Sequence, residues 1–442
     1  KEARMLCQLF LTPTYPIKHQ RHTSNMDKTQ LPQKAPTQTA FLLLVASGLG
    51  FWAVAAPAAA QERFLPSAST VVLSSSVHAQ GGRQAALRTL DLAWRAQPQD
   101  LNAALPYARA VFTLGLTEGD LRWFGSAKAA LAPWWTAADL PADGYFLRGL
   151  IKQGFHDFDA GLKDIERAIA LEPRRAEFWS WRFALHLLRA DMEGARQDTE
   201  EIARLFGAQE ADVYRAVLLY RTGQPLPAVQ ILTRAIRLPD NQDASSQDWL
   251  GFHLGEAYRV AGQSAQAIAL WSQRLKASPQ SHLIRLSLAE LFNQQGQYAQ
   301  AKTTALHKAD MGSLTDALLM QALLASRGLK DPDEARLASQ MAARLQSQAL
   351  RQESLIERPK LIHQIAYGQD VAAGLALSIE NWRLQKEPPD AVLFAQAALA
   401  LGQAKAAEPV LVWAKKTGYT DPQLGPLMQQ LQSQPSWTGG RP

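Results

Sequence analysis

Residues 251–279 read GFHLGEAYRVAGQSAQAIALWSQRLKASP, and 34 positions further on residues 285–306 read RLSLAELFNQQGQYAQAKTTAL. Gly255, Tyr258 and Ala267 of the first stretch return as Ala289, Phe292 and Ala301 of the second. A fixed period of this length marks an array of helical hairpins, in which each unit buries its apolar face only against a neighbour. Ala267 and Trp271 stand four apart and so share one face of the unit's second helix. Pro279 ends that helix, because proline lacks the N–H and its ring clashes with the preceding turn. The interval of 12 from a small residue to a closing proline recurs from Ala86 to Pro98 and from Gly161 to Pro173. Leu90, Ile165 and Trp271 each lie four after the small residue. Gly or Ala lets two helix backbones approach, and the large residue one turn on fills the space beside them.

With Gly255, Tyr258, Ala267, Trp271 and Pro279 in one unit and Ala289, Phe292, Ala301 and Ala305 in the next, the chain resembles the tetratricopeptide repeat (TPR) family. The resemblance extends unevenly over most of the sequence. Tyr145, Gly149, Gly161, Ile165, Ala168 and Pro173 match well, and a degenerate unit follows around Trp179, Phe183 and Ala195. Weaker helical pairs are expected at about 209–240 and 315–347, and Ala395, Ala398, Ala407, Leu411 and Ala414 fit a last unit. Thr117-Glu118-Gly119-Asp120 stretches an early unit, and Trp123 to Trp135 carries no readable role. The fold class expected is all-α, an α-solenoid of antiparallel hairpins over 81–428, since apolar segments of helical length alternate with Gly, Pro, Asp or Asn and no period-2 run stands out. Breaks are expected at Pro173, Gly194, Gly223-Gln224-Pro225, Gly262, Pro279, Gly296, Asp331-Pro332, Pro388-Pro389 and Gly402.

Ahead of the array, Phe41 to Ala56 is an apolar run preceded by Lys28 and Lys34 and followed by Ala58-Ala59-Ala60-Gln61. Positive flank, apolar middle and small residues are the layout of a secretory signal. The expectation is a signal over 26–60, starting at Met26 and cleaved after Ala60, with 1–25 an upstream or unprocessed segment and 61–80 a linker around Ser74-Ser75-Ser76. The run is shorter than the ~20 residues that span a bilayer, so a retained membrane anchor is the alternative. Cys7, the only cysteine, lies upstream of the signal, which leaves no thiol for disulfides in the exported chain. Residues from about Gln429 through Ser433, Pro435, Gly439 and Gly440 read as a disordered tail over 429–442.

The full chain has a net charge of +6, but residues 61–442 carry 40 Lys and Arg against 38 Asp and Glu. No block of like charge remains, so nucleic acid is not expected as a partner. No HExxH, GxSxG, phosphate-binding glycine loop or CxxC occurs. No catalytic residue, metal site or cofactor is assigned. His156, Asp157 and Asp159 are read as a helical turn with an aspartate cap, and Asp331 to Glu334 as a helix start. Most of the eleven tryptophans after residue 60 have a packing explanation, among them Trp179, Trp271 and Trp413.

The resemblance implies that first helices line a concave groove for a protein or peptide partner. It places Trp249, Phe252, Glu256 and Arg259 from one unit beside Leu286, Glu290, Asn293 and Gln294 from the next. Glu256 and Glu290 stand where a clamp for a C-terminal carboxylate would need donors, so the groove suits a basic or apolar segment. The function expected is a non-enzymatic periplasmic scaffold. A tethered version of it, or an envelope enzyme with a site assembled from dispersed residues, is the alternative.

Overall fold

A computed structural model of the chain describes residues 81–435 and Trp437, apart from 119–120, 280, 308–313 and 351–357. The segments expected at 1–25, 26–60 and 61–80, and the end of the tail, lie outside the described residues. The described residues form twenty α-helices and no strand. Three precede the regular hairpins: α1 (Gly81–Ala96), α2 (Leu101–Glu118) and α3 (Leu121–Ala130). Then come α4 (Ala142–Gly154) with α5 (Phe158–Leu171), α6 (Ala176–Leu188) with α7 (Met192–Phe206), and α8 (Ala208–Arg221) with α9 (Pro225–Ala235). They are followed by α10 (Ala244–Val260) with α11 (Ser264–Ala277), α12 (His282–Gln294) with α13 (Tyr298–Leu306), and α14 (Asp316–Leu329) with α15 (Asp333–Leu350). Last are α16 (Arg358–Gln364) with α17 (Val371–Leu384), α18 (Pro388–Ala400) with α19 (Glu408–Thr417), and the single α20 (Leu424–Ser433). The fold is a TPR-like array of helical hairpins.

The backbone carries the period more sharply than the side chains. The first helix of each hairpin is closed by a left-handed residue: His156, Ala190, Gly223, Gly262, Gly296, Lys330, Gly368 and Gly402. Successive intervals are 34, 33, 39, 34, 34, 38 and 34 residues. In seven of the eight, the next N–H reaches back five residues to a carbonyl, as Gln263 does to Tyr258 and Gln297 to Phe292, both at 2.8 Å. This is the Schellman closure, which satisfies carbonyls the helix end would leave bare. Three of the eight positions hold a residue with a Cβ, at roughly 1–2 kcal/mol each, which hides them from a glycine count. The break expected at Gly194 falls instead at Ala190-Asp191, and Gly194 lies inside α7, where its N–H is capped by Asp191 Oδ1 at 3.0 Å.

Small residues stand where backbones cross. A Cβ on Gly149 of α4 would meet the Gly161 carbonyl of α5 at 2.9 Å, and the reverse substitution would meet Gly149 at the same distance. Gly255 of α10 has the same role toward Trp271 of α11, which is fully buried and donates from its indole N–H to the Gly251 carbonyl at 3.2 Å. The stretch from Trp123 to Trp135 gains a role in packing. Its closing turn is held by buried Arg148, which donates to the carbonyls of Trp134, Trp135 and Ala137 and forks onto Asp164 through two bonds of 2.7 Å. At the other end, α20 runs through Ser433 with Leu431 fully buried, so the helical array extends five residues past the boundary expected at 428. Leu424, Leu427, Met428 and Leu431 give that stretch an apolar face despite its glutamines.

Candidate functional site

The first helices α6, α8, α10 and α14 present their ends to the later part of the same chain. Four arginines, each within three residues of a left-handed closing residue, make that contact. Arg189 donates to the Leu384 carbonyl at 3.2 Å. Arg221, 3% exposed, pairs with Glu387 at 2.9 Å. Arg259 pairs with Asp421 at 2.9 Å, and Arg327 donates to the Tyr367 carbonyl while lying 4.4 Å from that ring's centroid. The backbone joins in, with Lys386 N–H donating to the Leu188 carbonyl at 2.8 Å. Gly223 needs its bare Cα here, since a Cβ would run into the Gly418 carbonyl.

These contacts form a buried charge network. Arg358 of α16 pairs with Asp390 at 2.9 Å and reaches Glu387 at 4.0 Å, and Asn381 and Gln385 also donate to Asp390, at 3.2 and 3.1 Å. Asp421 accepts from Arg259 and from the Tyr419 hydroxyl, the latter at 2.8 Å, and from the Leu424 N–H at the start of α20. Burial works against the ionised form of Asp421, but Arg259 and these donors hold its pKa below the ordinary value. Burial, with Arg221 adding to it, pushes His253 down to about 3, so its neutral ring meets the Tyr220 hydroxyl at 2.8 Å. Such pairs add little net stability over an apolar core, yet breaking one is costly, so they fix which surfaces meet.

The eight residues expected to line a groove divide between two environments. Phe252 is buried among Ala267, Trp271, Ile284 and Leu288. Trp249 is half-buried, edge-on to His253 with centroids 4.8 Å apart and tilted to Tyr214 at 6.2 Å. Glu256 and Arg259 are paired with each other at 3.0 Å, beneath the Asp421 contact. On α12, Leu286 and Glu290 are half-buried and Gln294 is exposed. Asn293 donates from Nδ2 to both the backbone carbonyl and the side-chain oxygen of Gln321 at 2.9 Å. Burial raises the Glu290 carboxyl to about 7; Glu256 adds to the push and Arg358 and Arg259 oppose it.

A cleft of about 680 Å³ lies on a different face of α12, where it meets α11 and α13, lined by Leu275, Pro279, Leu288, Phe292, Thr303 and His307. The His156 region behaves as a turn. Asp157 caps α5 by accepting from Ala160 N–H at 3.4 Å, and Asp159 pairs with Arg189 at 2.9 Å. Among the described residues no group of three or more His, Cys, Asp and Glu is placed to hold a metal, and no helix is long and apolar enough to cross a membrane. Sequence reasoning picked out Arg259 but missed Arg189, Arg221 and Arg327 and the long-range partners of all four, although an arginine at the end of each of these four first helices was there to be read.

The arrangement defines a class: a TPR-like helical repeat protein whose first helices are partly engaged by its own C-terminal hairpins. The chain matches no protein-family model and no curated protein. It is similar to the Rap protein complexed with Competence and Sporulation Factor, at 12% identity over 80% of this chain and 99% of that one, with a TM-score of 0.45. It is also similar to a tetratricopeptide repeat protein from Parabacteroides merdae ATCC 43184, at 12% identity over 66% and 99% of the two chains, TM-score 0.31. A third is the human IFIT1 dimer with m7Gppp-AAAA, at 12% over 80% and 86%, TM-score 0.35.

Proposed function

We propose that this chain is an exported, non-enzymatic interaction scaffold acting in the periplasm, cleaved after Ala60, that holds a protein segment along α12 and α14. The observation that carries the reading is the contrast in saturation along the candidate surface. Glu256 and Arg259 are engaged within the chain, whereas Glu290 and Asn293 retain bonding capacity beside exposed Gln294. Stacked hairpins present rigid helix faces, which suits binding with little loss of order.

The test is photo-crosslinking in cells from Gln294, with a position on the exposed face of α7, Glu200, as control. A discrete partner trapped from Gln294 and not from Glu200 supports the scaffold; no adduct from Gln294 counts against it. Sequencing the amino end of the mature protein tests export: Gln61 at the end supports cleavage, and an intact apolar run supports the tethered alternative.

A further inference from the structure

Residues 290 and 293 lie three apart on α12 and so share a face. The Asn293 amide has a fixed orientation, because a backbone carbonyl can only accept: Nδ2 must face the Gln321 carbonyl at 2.9 Å. Its Oδ1 is therefore the remaining atom, and it is buried with no donor. Beside it, the Glu290 carboxylate receives one long contact, from Gln321 Nε2 at 3.5 Å, and among the described residues no cation lies within ion-pair range of it. The nearby cations are taken. Arg259 from α10 is engaged by Glu256 and Asp421, and Arg358 from α16 by Asp390 and Glu387. The two neighbouring ion-pair groups and Glu290 together hold five carboxylates (Glu256, Glu290, Glu387, Asp390, Asp421) and three guanidiniums (Arg221, Arg259, Arg358). A half-buried carboxylate and an amide oxygen, both short of donors in a region with excess negative charge, are complementary to one charged donor group.

We infer that Glu290, with Asn293 and Gln321 behind it, is the recognition site for a single basic side chain, lysine or arginine, carried by a bound peptide segment. This rests on the scaffold reading and gives the chemistry of the segment. The incoming ammonium or guanidinium donates to Glu290 and supplies the counter-ion that α12 lacks. Arrival of a cation favours the carboxylate over the carboxyl, so binding near neutral pH releases a proton. Glu256 and Arg259 from α10 and Arg358 from α16 also face Glu290, and Glu256 adds to the attraction for a cation.

The test uses the full chain and three probes: the acetylated, amidated pentapeptide Ala-Ala-Arg-Ala-Ala, its lysine version, and its citrulline version, which keeps the arginine shape without the charge. Saturation-transfer NMR titration is expected to show the arginine and lysine peptides binding at least tenfold more tightly than the citrulline peptide. Glu290→Gln is expected to weaken the arginine peptide at least tenfold and to leave the citrulline peptide unchanged. Calorimetry in two buffers of different ionisation enthalpy should show proton release at pH 7 for the wild type alone. Equal affinity for arginine and citrulline peptides, no binding of any peptide, or full affinity in Glu290→Gln overturns the inference. Should the variant not fold, the wild-type peptide comparison decides. A partner trapped from Gln294 together with indifference to peptide charge overturns this inference alone and leaves the scaffold standing.

Discussion

Glu256 and Arg259 on α10 occupy the same repeat positions as Glu290 and Asn293 on α12, 34 residues later, and the two sites have opposite fates. On α10 the acid has its cation three residues on, at 3.0 Å, and the cation is claimed again by Asp421. On α12 the cation is replaced by an amide that bonds sideways to Gln321, and the acid is left with a carboxyl raised to about 7. One position in a repeat thus decides whether a stretch of this helix face is structural glue or an unsatisfied site. Repetition supplies the same helix face twice, and a single exchange of arginine for asparagine separates their roles.

The largest expected effect comes from breaking the saturated site. Arg259→Ala leaves Glu256 and Asp421 facing each other without a cation, in a place where Asp421 is 2% exposed. Removing one member of a buried pair typically costs about 3–5 kcal/mol. Urea unfolding should show a loss of that order, and hydrogen exchange should show lost protection first around Tyr419 to Leu424, which Asp421 anchors. A loss below about 1 kcal/mol, as for an exposed pair, would mean that α20 does not depend on this contact.

The next effect belongs to the unsatisfied site, and its sign depends on pH. The Glu290 carboxyl is raised in the folded chain, so between its ordinary value and about 7 the folded state holds the extra proton. Stability therefore falls as pH rises through that window, and the full penalty is present above it. Glu290→Gln removes the penalty. The variant should match the wild type near pH 4 and gain on it steadily to pH 8, by an upper limit of roughly 3 kcal/mol. A constant difference across this range would show that Glu290 titrates normally.

How much of this was legible follows the same division. The hairpins could be read from the sequence because small residues, large residues and prolines recur at spacings that backbone packing demands, as at Gly149, Gly161 and Pro173. The turn at Ala190 could not, because a left-handed alanine leaves no compositional mark, and nearby Gly194 drew the break away from it. At the site, the family resemblance picked out Glu256 and Glu290 as acids at matching positions of successive first helices. Their different environments were not, since Asp421 is 162 residues from Arg259 and Glu387 is 166 from Arg221. No local pattern encodes contacts of that separation, although the recurring arginines hinted that something acidic must meet them.

Converting one site into the other is a smaller and more pointed experiment. Asn293→Arg gives α12 the pair that α10 already has. The new cation should pull the Glu290 carboxyl down from about 7 toward the ordinary carboxylate range, which carbon-13 NMR of a labelled glutamate reports directly. The substitution also gives up two bonds to Gln321, worth about 1 kcal/mol each, so the net change in stability should be near zero while the titration shifts. A titration that does not move would show that the two sites differ by more than this exchange.

The smallest effect is expected outside both sites. Glu193 on α7 pairs with Arg196 on an exposed surface, and the hydrogen bond with Arg196 holds its carboxyl below the ordinary range. Lowered pKa and close geometry make this pair look stronger on paper than the contact at Glu290. Water and salt screen it, and both side chains lose freedom in forming it. Glu193→Gln should leave the urea midpoint unchanged within measurement, at low salt and high salt alike. A clear shift would mean that the ion pairs of this array act independently of burial, and the distinction between the α10 and α12 sites would then need another cause than access to solvent and a missing counter-ion.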